Sequence, residues 1–129
     1  MKKTMFMDKY PVYTLELLKT EVKQTNVPQI VEYFKALIEA HPVAANIAVF
    51  DHYTHTKNLD GEINPDILDA QNVIFCFGPA LPNTKILAAR PRSIGICELK
   101  DSFVIEFIEA PKEQLHDLME SWAKNLKVS

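Results

Sequence analysis

Two apolar runs, Ile94 to Leu99 and Phe103 to Ile108, are separated only by Lys100-Asp101-Ser102, and that spacing constrains the fold more than any other stretch. A crossover between parallel strands takes a dozen or more residues, so this link admits only an antiparallel hairpin. The chain therefore contains a sheet that is at least partly antiparallel. A third run, Val73 to Phe77, is apolar at every position. Without alternation it predicts a strand covered on both faces, central in the sheet.

The remaining segments supply the other elements. Val12 to Leu18 is rich in β-formers and predicts a first strand. Asn26 can cap a helix with Pro28 in its first turn, and Val27, Ile30, Val31, Phe34, Leu37 and Ile38 then recur at helical spacing. His41-Pro42 stops that helix. Asn46 to Tyr53 reads as a second strand, Lys57 to Gly61 as a loop and Pro65 to Ala70 as a short helix. Asn83 or Thr84 can cap another short helix that runs through Ala89. Pro111 opens the last helix, whose inward stripe is Leu115, Leu118, Met119, Trp122 and Leu126. His116 falls with Glu113 and Glu120 on the opposite face, which predicts a solvated side chain. The expected architecture is a single α+β domain over residues 1–129, with a mixed or antiparallel sheet of about five strands packed against two main helices.

Composition narrows the classes. A chain of 129 residues can bury a core without disulfides or metal, and 47% hydrophobic with 24% charged residues excludes disordered and collagenous types. The net charge of -3 argues against a nucleic-acid partner, because phosphate affinity comes from clustered Lys and Arg. Asp8 and Lys9 follow Met1 to Met7 before any apolar signal region develops, so a cytoplasmic location is expected. No apolar run approaches the ~20 residues that span a bilayer, so no membrane partner is expected. Cys76 and Cys97 sit in apolar runs and read as reduced, buried, structural thiols.

Arg90-Pro91-Arg92 is the clearest device for chemistry. Pro91 biases Arg90 toward an extended conformation, in which residues i and i+2 share a side. Two guanidinium forks could then converge on one carboxylate or phosphate, with Ser93 adding a hydroxyl. The alternative is that each Arg pairs with a carboxylate of its own. His52, His55 and Lys57 form the next polar cluster, but His52 and His55 at i, i+3 suit neither strand nor helix ligation, so no metal is expected. Gly78 follows the apolar strand and permits a tight turn, as the loops that line ligand sites often do.

The first function expected is a binding or accessory module without cofactor. Its site would comprise His52, His55, Lys57, Gly78, Arg90 and Arg92, and it would take a small anionic ligand or a partner's acidic group. A second reading is a small enzyme with His52 as general acid or base beside Asp51 or Tyr53. Its catalytic residues are otherwise unknown, since no nucleophile motif is present. A third is a homodimer built on a sheet edge or apolar patch.

The succession Phe50-Asp51-His52, Lys57, Ile74-Phe75-Cys76-Phe77-Gly78-Pro79, Thr84, Leu87 and Pro91 before a hairpin resembles the bacterial domain-of-unknown-function family numbered 302. That family has an Asn between the Gly and Pro, absent here, and a Leu-Pro-Leu entry to the hairpin where this chain has Arg90-Pro91-Arg92-Ser93. The chain also resembles a narrower set of uncharacterised bacterial proteins that keep Phe-Asp-His-Tyr and Arg-Pro-Arg-Ser. The resemblance implies a compact α+β domain and brings no activity, cofactor or catalytic residue.

Overall fold

The computed structural model describes residues 1–128 and shows an α+β fold. Its strands are β1 (Lys2–Phe6), β2 (Tyr10–Leu18), β3 (Ala44–Asp51), β4 (Asp69–Phe77), β5 (Arg92–Glu98) and β6 (Ser102–Ile108). Its α-helices are α1 (Val27–Ala40), α2 (His52–Asn58), α3 (Ile86–Ala89) and α4 (Glu113–Lys124), with a 3-10 turn at Lys19–Glu21. All six strands form one antiparallel sheet in the order β1-β2-β6-β5-β4-β3.

The β5–β6 hairpin and α1 form as their sequences dictate. Asn26 accepts the Gln29 amide at 2.9 Å, and Val27, Ile30, Val31, Phe34 and Ile38 are buried. The sixth strand, β1, is an addition to the expected five. It turns into β2 through Met7 and Asp8, both left-handed at φ 54° and 58°, which suits the strand twist of a tight hairpin. Neither residue is the Gly or Asn that normally announces such a turn. The expected strand to Tyr53 stops instead at Asp51. Its carboxylate accepts the Thr54 amide at 3.0 Å and the Thr54 hydroxyl at 2.9 Å, which caps α2. No helix forms over Pro65 to Ala70: the Asn64 side chain accepts the Asp66 amide at 2.9 Å in a local turn, and β4 begins at Asp69.

Helices α1 and α4 cover one face of the sheet. Tyr33 of α1 donates its hydroxyl to the Trp122 carbonyl of α4 at 2.7 Å, and the Trp122 ring lies 5.9 Å from that of Phe75. Because side chains alternate along β4, Val73 and Phe75 face the helices and are fully buried, whereas Ile74 and Cys76 face the other way and are half-buried. β4 is thus next to the β3 edge and covered mainly on one side, not central and doubly covered. β5 and β6 occupy the middle.

His116 corrects the reading of α4. It is only 7% exposed, because the rings of Tyr13 on β2 and Phe107 on β6 enclose it at 4.1 and 5.7 Å. Its Nδ1 accepts the Ala110 amide at 3.4 Å, so a polar residue completes the packed flank of the helix. The two cysteines are free and half-buried on the uncovered face, less enclosed than the apolar runs suggest. Burial, reinforced by Glu106, Asp69 and Glu98, pushes the Cys97 thiol up. Among the described residues no helix is long and apolar enough to cross a membrane.

Candidate functional site

The face opposite α1 and α4 is where the sheet remains open. Strand register places Thr14, Glu106, Gly95, Asn72 and Phe50 in one row across it, from β2 to β3. Gly95 interrupts that row near its middle. An added Cβ there would lie 3.4 Å from the Glu106 carbonyl and 3.7 Å from the Asn72 amide nitrogen, ordinary packing distances. The bare position therefore opens space above the sheet without any need for special backbone geometry.

The segment between β4 and β5 closes one end of this space. Asn83 accepts the amides of Lys85 and Ile86 at 3.0 and 3.2 Å and so starts α3. Arg90 ends it, with its amide on the Ile86 carbonyl. The Arg90 guanidinium donates to the Ala80 carbonyl at 2.6 Å and passes so near Gly78 that an added Cβ would lie 2.7 Å from an Nη. Gly78, at φ 99°, is thus required for its backbone, and its missing side chain leaves room for the end of Arg90. Braced in this way, Ala88, Ala89 and Pro91 border a cavity of about 530 Å³ whose floor includes Asn72, Ser93 and Gly95.

Arg92 also lines this cavity. It donates one Nη to the Ile108 carbonyl, while its Nε is buried with no protein acceptor. Burial pulls the guanidinium below its ordinary pKa, although an arginine remains charged at any physiological pH. Glu106 lines the same cavity and accepts the Thr14 hydroxyl at 2.8 Å. Asn72 donates to Ser93 Oγ at 2.7 Å, which fixes two neutral polar groups on the floor.

The residues expected to act together are therefore divided. Arg90 and Arg92 do not share the cavity: one terminates α3 and braces its loop with Gly78, and the other begins β5. Neither takes a carboxylate partner among the described residues; both donate to backbone carbonyls instead. His52 and His55 come together around Phe50, with ring centroids 4.5 and 5.0 Å from it. Both are exposed, as is Lys57 in the last turn of α2. The pairing of Phe50 with Asn72 puts this aromatic cluster at the far end of the row that floors the cavity. Asp51 does not orient His52, since both its oxygens engage Thr54. Among the described residues no three His, Cys, Asp or Glu are grouped to hold a metal.

Asn72, Gly95 and Glu106 escaped the sequence reading because each lies on a different strand. The one local signal was Gly95, a lone glycine inside a strand, which commonly marks a close approach or an opening.

No curated protein and no solved structure matches the chain. A model of a family of unknown function, DUF6858, matches residues 1–128. This match replaces the resemblance to the family numbered 302, which rested chiefly on turn-forming residues that unrelated strand connections share. The chain is a member of the DUF6858 family of unknown function.

Proposed function

We propose that this protein binds a small molecule with an anionic group in the cavity on its open sheet face. The observation that carries the reading is Arg92, a half-buried residue that lines a mainly apolar cavity and has no carboxylate partner among the described residues. A ligand carboxylate can accept from the guanidinium hydrogens that the Ile108 carbonyl leaves free, in a charge-assisted hydrogen bond. The cavity volume of about 530 Å³ falls in the range of small-molecule sites. In this reading Arg92 binds the anion, Asn72 and Ser93 orient it, and Arg90 with Gly78 maintains the wall. His52, His55 and Lys57 stand beyond the end of the floor, where a longer ligand would meet them.

Thermal unfolding with propionate, isocaproate and hydrocinnamate tests the proposal, since a ligand of the native state raises its apparent stability. At least one should raise the midpoint by several degrees in the wild type. Gly95→Val, which fills the floor with a residue suited to a strand, and Arg92→Gln should each abolish that rise, whereas Arg90→Gln should retain it. A response that survives both Gly95→Val and Arg92→Gln would overturn the assignment of the site.

A further inference from the structure

Because every pair of neighbouring strands is antiparallel, four connections gather at one end of the sheet. They are residues 7–9 between β1 and β2, 41–43 before β3, 78–91 between β4 and β5, and 109–112 after β6. Backbone bonds hold neighbouring pieces together: the Gly78 amide donates to the Val43 carbonyl at 2.7 Å, and the Glu109 amide to the Pro11 carbonyl at 3.0 Å. Large apolar side chains project into solvent here. Met7 is 70% exposed at the tip of the first hairpin, between the exposed rings of Phe6 and Tyr10, and Leu81 and Leu87 are 72% and 63% exposed on the connection after β4.

Charge is sorted to the same end. Lys9, Lys85, Arg90 and Lys112 against Asp8 and Glu109 give the four connections a net charge of +2, so the remainder of a chain with net charge -3 carries -5. Lys9, Lys85 and Lys112 are exposed and make no ion pair among the described residues. Glu109, by contrast, is engaged by the Tyr13 hydroxyl at 3.1 Å and by Lys3 at 3.4 Å.

Whatever covers this end must accept apolar side chains and cations together. A second copy meets it poorly, since a two-fold contact would set the same positive connections against each other. The interface of a bilayer suits the mixture: aromatic rings and apolar side chains enter among the head groups, while lysines reach the phosphates. Crossing a bilayer takes ~20 apolar residues, whereas lying on one takes only exposed apolar groups with basic neighbours. We propose that this end of the sheet docks on an anionic lipid surface. The acidic remainder of the chain is repelled by the same surface, which orients the molecule with these connections toward the lipid.

Flotation of the full chain with vesicles of phosphatidylcholine alone, and of phosphatidylcholine mixed equally with phosphatidylglycerol, tests the proposal. The mixed vesicles should bind the wild type at least about ten-fold more tightly, and rising salt should erase the difference, because attraction to anionic lipid is screened. Met7→Asn combined with Leu81→Ser should weaken binding to mixed vesicles about ten-fold, since apolar surface is lost while Asn tolerates the left-handed backbone of Met7. Lys9→Gln, Lys85→Gln and Lys112→Gln together should bring mixed and plain vesicles within about three-fold of each other. Leu59→Ser, which removes a comparably exposed leucine beyond the opposite end of β3, should leave binding unchanged. Full binding by both combined variants, an equal loss in Leu59→Ser, or failure of the wild type to float would overturn the proposal. So would a wild-type dimer in sedimentation that Met7→Asn with Leu81→Ser dissolves, since the surface would then belong to a second copy.

Discussion

Phe75 has no exposed surface and packs against Trp122, the contact through which β4 meets the last helix. Replacing it with Ala should cost about 3–5 kcal/mol, the range for a buried aromatic whose cavity cannot fully collapse. Denaturant titration should show this as a lower midpoint at unchanged slope. The burial of Phe75 was legible because an uninterrupted apolar run has few other places to go. That of His116 was not. Helical periodicity assigns a side chain to a flank of α4, but whether the flank is wet depends on Tyr13 and Phe107, which arrive from strands on either side of the chain's middle. The arginines divide similarly: their type announced anion chemistry, while their direction followed from one belonging to a helix end and the other to a strand.

Among the elements, the turn after β2 is clasped to the segment after α4. Glu21 accepts the Leu18 amide at 2.8 Å and pairs with Lys127 at 2.9 Å, and the backbone bonds of Val22 with Lys127 and of Val128 with Glu21 run alongside. Lys127, followed by the Leu18 amide, holds the Glu21 carboxyl below its ordinary pKa. A carboxyl lowered in the folded state contributes stability above its unfolded pKa and loses it as pH falls through the folded value. Wild type should therefore exceed Glu21→Gln in thermal midpoint at neutral pH, with the gap closing below the usual carboxylate range and shrinking in high salt. A gap independent of pH would show that the charge plays no part. Elements with local signals, such as the cap and stripe of α1 or the β5–β6 spacing, were legible. β1 and α2 were not, since the turn at Met7-Asp8 lacks its usual residues and the Asp51 cap sits inside a run that alternates like a strand.

For the whole molecule, the order of the sheet has a consequence for how the chain assembles. β2 pairs with β6, and Leu18 meets Ser102 across 102 − 18 = 84 positions, whereas the β5–β6 turn closes locally. Loop-closure entropy grows logarithmically with length, so that pairing costs roughly 4 kcal/mol against roughly 1 kcal/mol for the hairpin. Amides of β5 and β6 should accordingly gain protection before those of β1 and β2 in pulsed hydrogen exchange during refolding; simultaneous protection of all four would contradict this order. During synthesis β2 leaves the ribosome before β6, its other neighbour in the sheet, has been translated. Until β6 follows, the amino-terminal hairpin, with Met5, Phe6, Met7 and Tyr10 exposed even in the finished fold, has no sheet to join. The β1–β2 hairpin, made before β6, is thus among the last elements to be seated, and for that interval its apolar side chains depend on whatever shields nascent chain in the cell.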